Sequence, residues 1–170
     1  MKALILVADG VEDLEFFYPY YRLQEEGIEV DVAAPEAGTI TGKHGYTFDV
    51  KLSMSAMKHD DYDLLILPGG KAPETVRHHP NATAAAKTML QNGKVVAAIC
   101  HGAQTLISAK VLKGRTATCW QGIRDDIKAA GAKYVDEEVV VDDNLITSRS
   151  PDDLPAFCRE IFKQVQVASQ

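Results

Sequence analysis

The chain has 170 residues, 46% of them hydrophobic and 25% charged, with a net charge of −6 at pH 7. That size suffices for one domain with a well-buried core, and the reading is a single domain over 1–170. The acidic balance and the lack of any basic run argue against a nucleic-acid partner, and no apolar stretch approaches the length of a membrane span.

Lys2–Val7 reads as a buried first strand. It is too short for a leader peptide, lacks a small-residue cleavage site and runs into acidic residues, which places the protein in the cytoplasm. Glu12–Glu26 follows as a helix with Leu14, Phe17, Tyr18 and Tyr21 on its apolar face. Glu12, Asp13 and Glu15 complement its N-terminal dipole, and Gly27 is a natural stop. Pro19 inside this segment predicts a kink or a late start. Ile28–Ala33 is a second strand, and Thr39–Val50, with Gly38, Gly42 and Gly45, reads as a β-hairpin excursion. Asp63–Leu67 is a third strand, ending in Pro68-Gly69-Gly70. Asn81–Asn92 is a helix capped by Asn81 and closed by Gly93. Val95–Ile99 is a strand that runs into Cys100-His101-Gly102 and a helix-compatible run to Ala109. Arg115–Cys119 is strand-like, Ile123–Ala130 helical, and Glu138–Val141 and Leu145–Ser148 flank the turn Asp142-Asp143-Asn144. Asp152–Val167 is the closing helix. Continuous apolar strands alternating with helices indicate an α/β fold with a mostly parallel sheet covered on both faces. In such a sheet ligands bind beyond the carboxyl ends of the strands. Asp9–Glu12, Pro68–Gly70 and Cys100–His101 should converge there.

Cys100 is the candidate nucleophile. A sharp strand-to-helix turn pushes its central side chain out over the sheet and sets it at a helix N-terminus, where thiolate is favoured. A buried structural thiol is the plain alternative, and the adjoining His101 and Gly102 argue against it. His101 is a neighbouring base, and no histidine follows it in the chain, which excludes a papain-like order. Glu12 should point into the same crevice, where a carboxyl beside the sulfur would have a raised pKa and could shuttle a proton. Asp13 and Glu15 read as an ordinary acidic helix start. Gly69 lets the backbone approach a ligand, and the N–H groups of Gly70 and His101 could form an oxyanion hole. Trp120 either lines the pocket or packs in the core. Cys119 and Cys158 read as structural, and three widely spaced cysteines suit reduced intracellular thiols. His78-His79 lacks further ligands at suitable spacing, so no metal is expected, and no cofactor.

Taken together, Asp9–Glu12, Ile40–Gly45, Leu67–Gly70, Ala72-Pro73-Glu74, Ala98–Gly102 and Val139–Arg149 resemble the ThiJ/PfpI superfamily, and within it the PfpI-type intracellular protease, glyoxalase and deglycase branch. The resemblance covers nearly the whole chain. It implies a flavodoxin-like three-layer sandwich with a strained elbow cysteine. It further implies Cys100 as nucleophile, Glu12 as its hydrogen-bonded partner, and backbone donors at Gly70 and His101. It also implies a homo-oligomer, a dimer or dimer-based hexamer, in which the glutamate corresponding to Glu74 reaches His101 across a subunit interface. The chain departs from the family pattern at Ala103, where proline is common, and at Trp120, where tyrosine is frequent. Two substrate classes fit a carbonyl-directed cysteine: peptides, or small dicarbonyls and their adducts on protein. The non-enzymatic alternative is a redox-sensing or chaperone-like stress protein using the same thiol.

Overall fold

The computed structural model describes residues 1–168. The chain runs β1 (Lys2–Leu6), α1 (Asp13–Glu25), β2 (Glu29–Ala34), β3 (Gly38–Thr41), β4 (Thr47–Val50), β5 (Leu52–Ser53), β6 (Leu64–Leu67), α2 (Ala72–Val76) and α3 (Pro80–Gln91). It continues as β7 (Val95–Ile99), α4 (Ala103–Ser108), β8 (Thr116–Ala117), α5 (Arg124–Ala129), β9 (Lys133–Tyr134), β10 (Val140–Asp142), β11 (Leu145–Ser148) and α6 (Leu154–Ala168). Seven strands form one sheet in the order β10-β11-β7-β6-β1-β2-β5, parallel except for the edge strand β10. The expected hairpin is β3–β4, a separate antiparallel ribbon, and β8 pairs with β9 outside the main sheet.

The three central strands are apolar on both faces because helices cover both faces. Every residue of β6 and β7, and four of the five in β1, is buried. Helices α1 and α6 pack together, α6 against β7 and β11, while α3 packs on β6 and β7. The strand order reverses between β1 and β6, the place where an open α/β sheet leaves a crevice at its carboxyl edge.

Three local expectations are corrected. In α1 the buried face is Glu15, Phe16, Pro19 and Leu23, whereas Leu14 and Tyr21 are exposed and Tyr18 is at the margin. The helix carries two apolar stripes, and periodicity does not say which meets the sheet. Phe17 packs instead against the hairpin residues Tyr46 and Phe48. The helix runs through Pro19 from a start at Asp13, with no late beginning. Helix α3 is capped by His79, whose Nδ1 accepts the Asn81 N–H at 3.2 Å, so Asn81 lies inside the first turn.

Candidate active site

Two turns at the carboxyl edge of the sheet build the site. At the end of β7 the chain turns through Cys100 at φ 62°, a left-handed conformation that costs a side-chain-bearing residue roughly 1–2 kcal/mol. A short 3-10 turn over Cys100–Gly102 leads into α4. A Cβ on Gly102 would run into the Leu67 carbonyl, so only glycine permits this turn to lie against β6. At the end of β6, Gly70 adopts φ 77°, and a Cβ there would run into the backbone of Gly10–Glu12. That closeness stitches the start of α1 to the turn: Glu12 N–H donates to Gly69 O at 3.1 Å and Lys71 N–H to Gly10 O at 2.8 Å.

The carboxyl beside the thiol is that of Glu15, which corrects the expectation for Glu12. Glu12 lines the crevice, but its carboxylate caps α1 by accepting the Leu14 N–H at 2.8 Å and meets His44 Nε2 at 2.7 Å. Glu15, one turn later, is fully buried. Its Oε1 accepts the Gly69 N–H at 2.9 Å, and its Oε2 has no hydrogen-bond partner. A Cβ placed on Gly69 would lie 2.5 Å from Glu15 Oε1 and 2.8 Å from Cys100 Cβ, so the two side chains face each other across that glycine. Burial, reinforced by the nearby Glu12 charge, pushes Glu15 up to about 8 despite the Gly69 N–H. At neutral pH it is a carboxylic acid with a proton to give. One sequence signal pointed here: Glu15 shares the i, i+4, i+8 stripe with buried Pro19 and Leu23.

Cys100 Sγ lies 3.2 Å from His101 Nδ1. Burial, and then the Glu15 charge, push the thiol up to about 12, while the His101 and Gly70 N–H groups at the sulfur pull it down. Burial thus opposes the thiolate that the helix N-terminus favours. Helix α4 spans six residues behind a 3-10 turn, and its dipole is weak against the loss of water. Burial lowers His101, with Glu74 opposing and Lys43 assisting. The resting set is thus a thiol, a neutral imidazole able to take its proton and a neutral Glu15. Glu74 lines the crevice of its own chain, and its charge acts on His101 there without a second subunit. Trp120 also lines the crevice, its ring stacked near His101 with centroids 6.3 Å apart, and its backbone N–H donates to Cys100 O at 3.3 Å.

The crevice encloses about 760 Å3. Its wall includes Thr41, Gly42 and Lys43, which the sequence marks only as part of the Ile40–Gly45 stretch and assigns no role at the site, because the hairpin is distant in the chain. Asp13 holds that hairpin in place, its carboxylate accepting the His44 N–H at 2.7 Å and the Tyr46 N–H at 3.3 Å. Cys119 and Cys158 are buried free thiols. Among the described residues no group of three or more His, Cys, Asp or Glu is placed to hold a metal ion, and no helix is long and apolar enough to cross a membrane.

Comparison with known proteins matches residues 1–164 to the model of the DJ-1/PfpI family. A protein of Thermococcus kodakarensis named a deglycase is 56% identical over 96% of this chain and 98% of its own. A Bacillus subtilis protein provisionally named a cysteine protease is 43% identical over 94% and 95%. Among solved structures, a two-domain protein of Anabaena variabilis with DJ-1/ThiJ/PfpI-like and ferritin-like domains superposes with a TM-score of 0.95 at 38% identity, over 97% of this chain. The chain spans 48% of that longer protein. Schizosaccharomyces pombe DJ-1 gives a TM-score of 0.89 at 25% identity, over 97% of this chain and 92% of that one.

Proposed function

The chain belongs to the DJ-1/PfpI family, and on that premise we propose that it is a cysteine-nucleophile enzyme acting on small carbonyl compounds, a glutathione-independent glyoxalase and deglycase. The observation that carries this reading is the 3.2 Å contact between Cys100 Sγ and His101 Nδ1 at a left-handed elbow, with the protonated Glu15 alongside.

The thiol proton passes to His101 as sulfur adds to the aldehyde carbon of a 2-oxoaldehyde. The C=O π bond opens, and the new alkoxide is met by the Gly70 and His101 N–H groups and protonated by Glu15. The resulting hemithioacetal loses its C1 proton to the Glu15 carboxylate, while His101 keeps the thiol proton. Reprotonation at C2 then leaves a thioester of the 2-hydroxy acid. Water cleaves the thioester, returns the thiol and completes the conversion of R–CO–CHO plus water to R–CHOH–COOH. For a glycated protein, the carbinolamine adduct reverts to free amine and 2-oxoaldehyde, and the same addition captures the released aldehyde. A crevice of about 760 Å3 suits a small molecule better than an extended peptide.

An intracellular cysteine peptidase, in which His101 protonates the leaving amine of an acyl-enzyme, is supported by the name of the Bacillus relative. A redox sensor would use the same Cys100 thiol without a base, and His101 Nδ1 at 3.2 Å from the sulfur favours base-assisted turnover instead. The cytoplasmic setting, a role in stress and a homo-oligomer belong to the same proposal.

Conversion of methylglyoxal to lactate without glutathione tests it. Wild type should form lactate, Cys100→Ser should form none, and His101→Ala should be slower by about 10²–10⁴-fold. Lactate formation undiminished in Cys100→Ser overturns the mechanism. Cys100-dependent cleavage of a peptide without lactate would transfer the assignment to the peptidase.

A further inference from the structure

The crevice is lined by two exposed lysines that the chemistry above does not use. We propose that Lys43 and Lys71 form an anion-binding subsite, so that the preferred substrate is a dicarbonyl carrying a carboxylate or phosphate at the end of its chain. This deepens the carbonyl-enzyme reading and rests on it.

Both lysines line the crevice, and their backbones are fixed against one short segment, Asp9–Val11. Lys43 N–H donates to Val11 O at 2.8 Å, and Lys71 N–H to Gly10 O at the same distance. Gly10 N–H in turn donates to Thr41 O at 2.8 Å, and the Thr41 N–H reaches Asp9 Oδ1 at 2.9 Å. The strand-end loop therefore ties together the two segments that carry the lysines. A Cβ on Gly10 would lie 2.8 Å from Lys71 Cβ, so the glycine lets the Lys71 segment lie close against this loop.

Neither ammonium makes a hydrogen bond or ion pair among the described residues, whereas Lys2, Lys51, Lys94 and Lys163 each hold a carboxylate. Three carboxyls line the same crevice, and among the described residues none forms an ion pair with either lysine. Glu12 is engaged by His44 at 2.7 Å and by the Leu14 N–H, and Glu15 is protonated below about pH 8. Glu74 is the remaining carboxylate, and its charge acts on His101. The Lys43 charge is felt at both Glu15 and His101, the two groups flanking the sulfur. An anionic tail a few carbons from the carbonyl under attack would therefore meet Lys43 and Lys71, which would orient the aldehyde toward Cys100.

The test compares three 2-oxoaldehydes: methylglyoxal, 4,5-dioxovalerate with its terminal carboxylate, and 3-phosphooxy-2-oxopropanal with its terminal phosphate. Water addition converts the last two to 2-hydroxyglutarate and 3-phosphoglycerate. Wild type should favour an anionic substrate over methylglyoxal by about tenfold in kcat/KM, and Lys43→Met or Lys71→Met should reduce that ratio several-fold, as expected for partly solvated charge contacts. The more strongly favoured anion identifies the tail. Methylglyoxal turnover that depends on Cys100, with a ratio near one or a ratio unchanged in both lysine variants, overturns the subsite and leaves the carbonyl reading standing. Calorimetric binding of 2-hydroxyglutarate and 3-phosphoglycerate to Cys100→Ser separates the opposite failure. Lysine-dependent binding with no turnover of any aldehyde keeps the subsite and removes the carbonyl chemistry, whereas absence of both removes both.

Discussion

Neighbouring parallel strands β6 and β7 end in two turns that solve the same backbone problem differently. Both need a residue with positive φ, 77° at Gly70 and 62° at Cys100. The β6 turn uses glycine because the backbone of Gly10–Glu12 occupies the place of a side chain. The β7 turn keeps a side chain and bears the strain, because its sulfur has to stand over the sheet edge. Absence of Cβ marks where the protein needs closeness, and a strained Cβ marks where it needs a reactive atom. Glu15 joins the two turns, accepting from Gly69 and facing Cys100.

Substitutions that exchange the properties of the two turns sharpen this contrast. The largest effect is expected from Gly70→Ala, which adds strain and a backbone clash and should lower stability by about 3–5 kcal/mol in urea unfolding. A loss below about 1 kcal/mol would mean the turn is free to shift.

Glu15→Gln should reduce turnover by about 10²-fold by removing the proton donor at the sulfur. It should also change the pH dependence of stability. Glu15 is raised from about 4.5 to about 8 by burial, so the folded state holds a proton that the unfolded state releases. Its contribution is fully present below about pH 4.5 and is lost as pH rises through about 8. Unfolding measured across that window should show a fall in stability for wild type that is absent in Glu15→Gln. An equal fall in both would remove Glu15 as its source.

Cys100→Gly and Cys119→Gly both delete a buried thiol, but only the first relieves a left-handed backbone. Cys100→Gly should therefore cost about 1 kcal/mol less in chemical denaturation. The smallest effect belongs to Glu12→Gln, which weakens the partner of an exposed His44. It should cost under about 1 kcal/mol and slow turnover far less than Glu15→Gln.

Much of this architecture was legible in the residues. The apolar runs of β1, β6 and β7 read as buried strands because strands covered by helices on both faces have no polar side. Cys100 read as an elbow because a lone polar residue between a strand and a small-residue helix has few other places to go. Glu12 and Glu15 both follow β1 at the start of one helix, and only the packing of α1 decides which carboxyl turns toward Cys100. The exposed Leu14 and Tyr21 illustrate the same ambiguity, since two apolar stripes on one helix are equivalent until a sheet selects one.

By itself the sequence determined the longer strands and helices, the hairpin, the glycine-rich turns and the elbow at Cys100. These depend on side-chain periodicity and on the conformational freedom of single residues, both local. Only the tertiary structure decided the partners of Cys100. Glu15 meets Gly69 across 54 residues, and Glu12 meets His44 across 32. Lys43 reaches the crevice on a hairpin outside the main sheet. Such contacts, and the burial that sets the protonation of Glu15, Cys100 and His101, follow from how the layers close on one another.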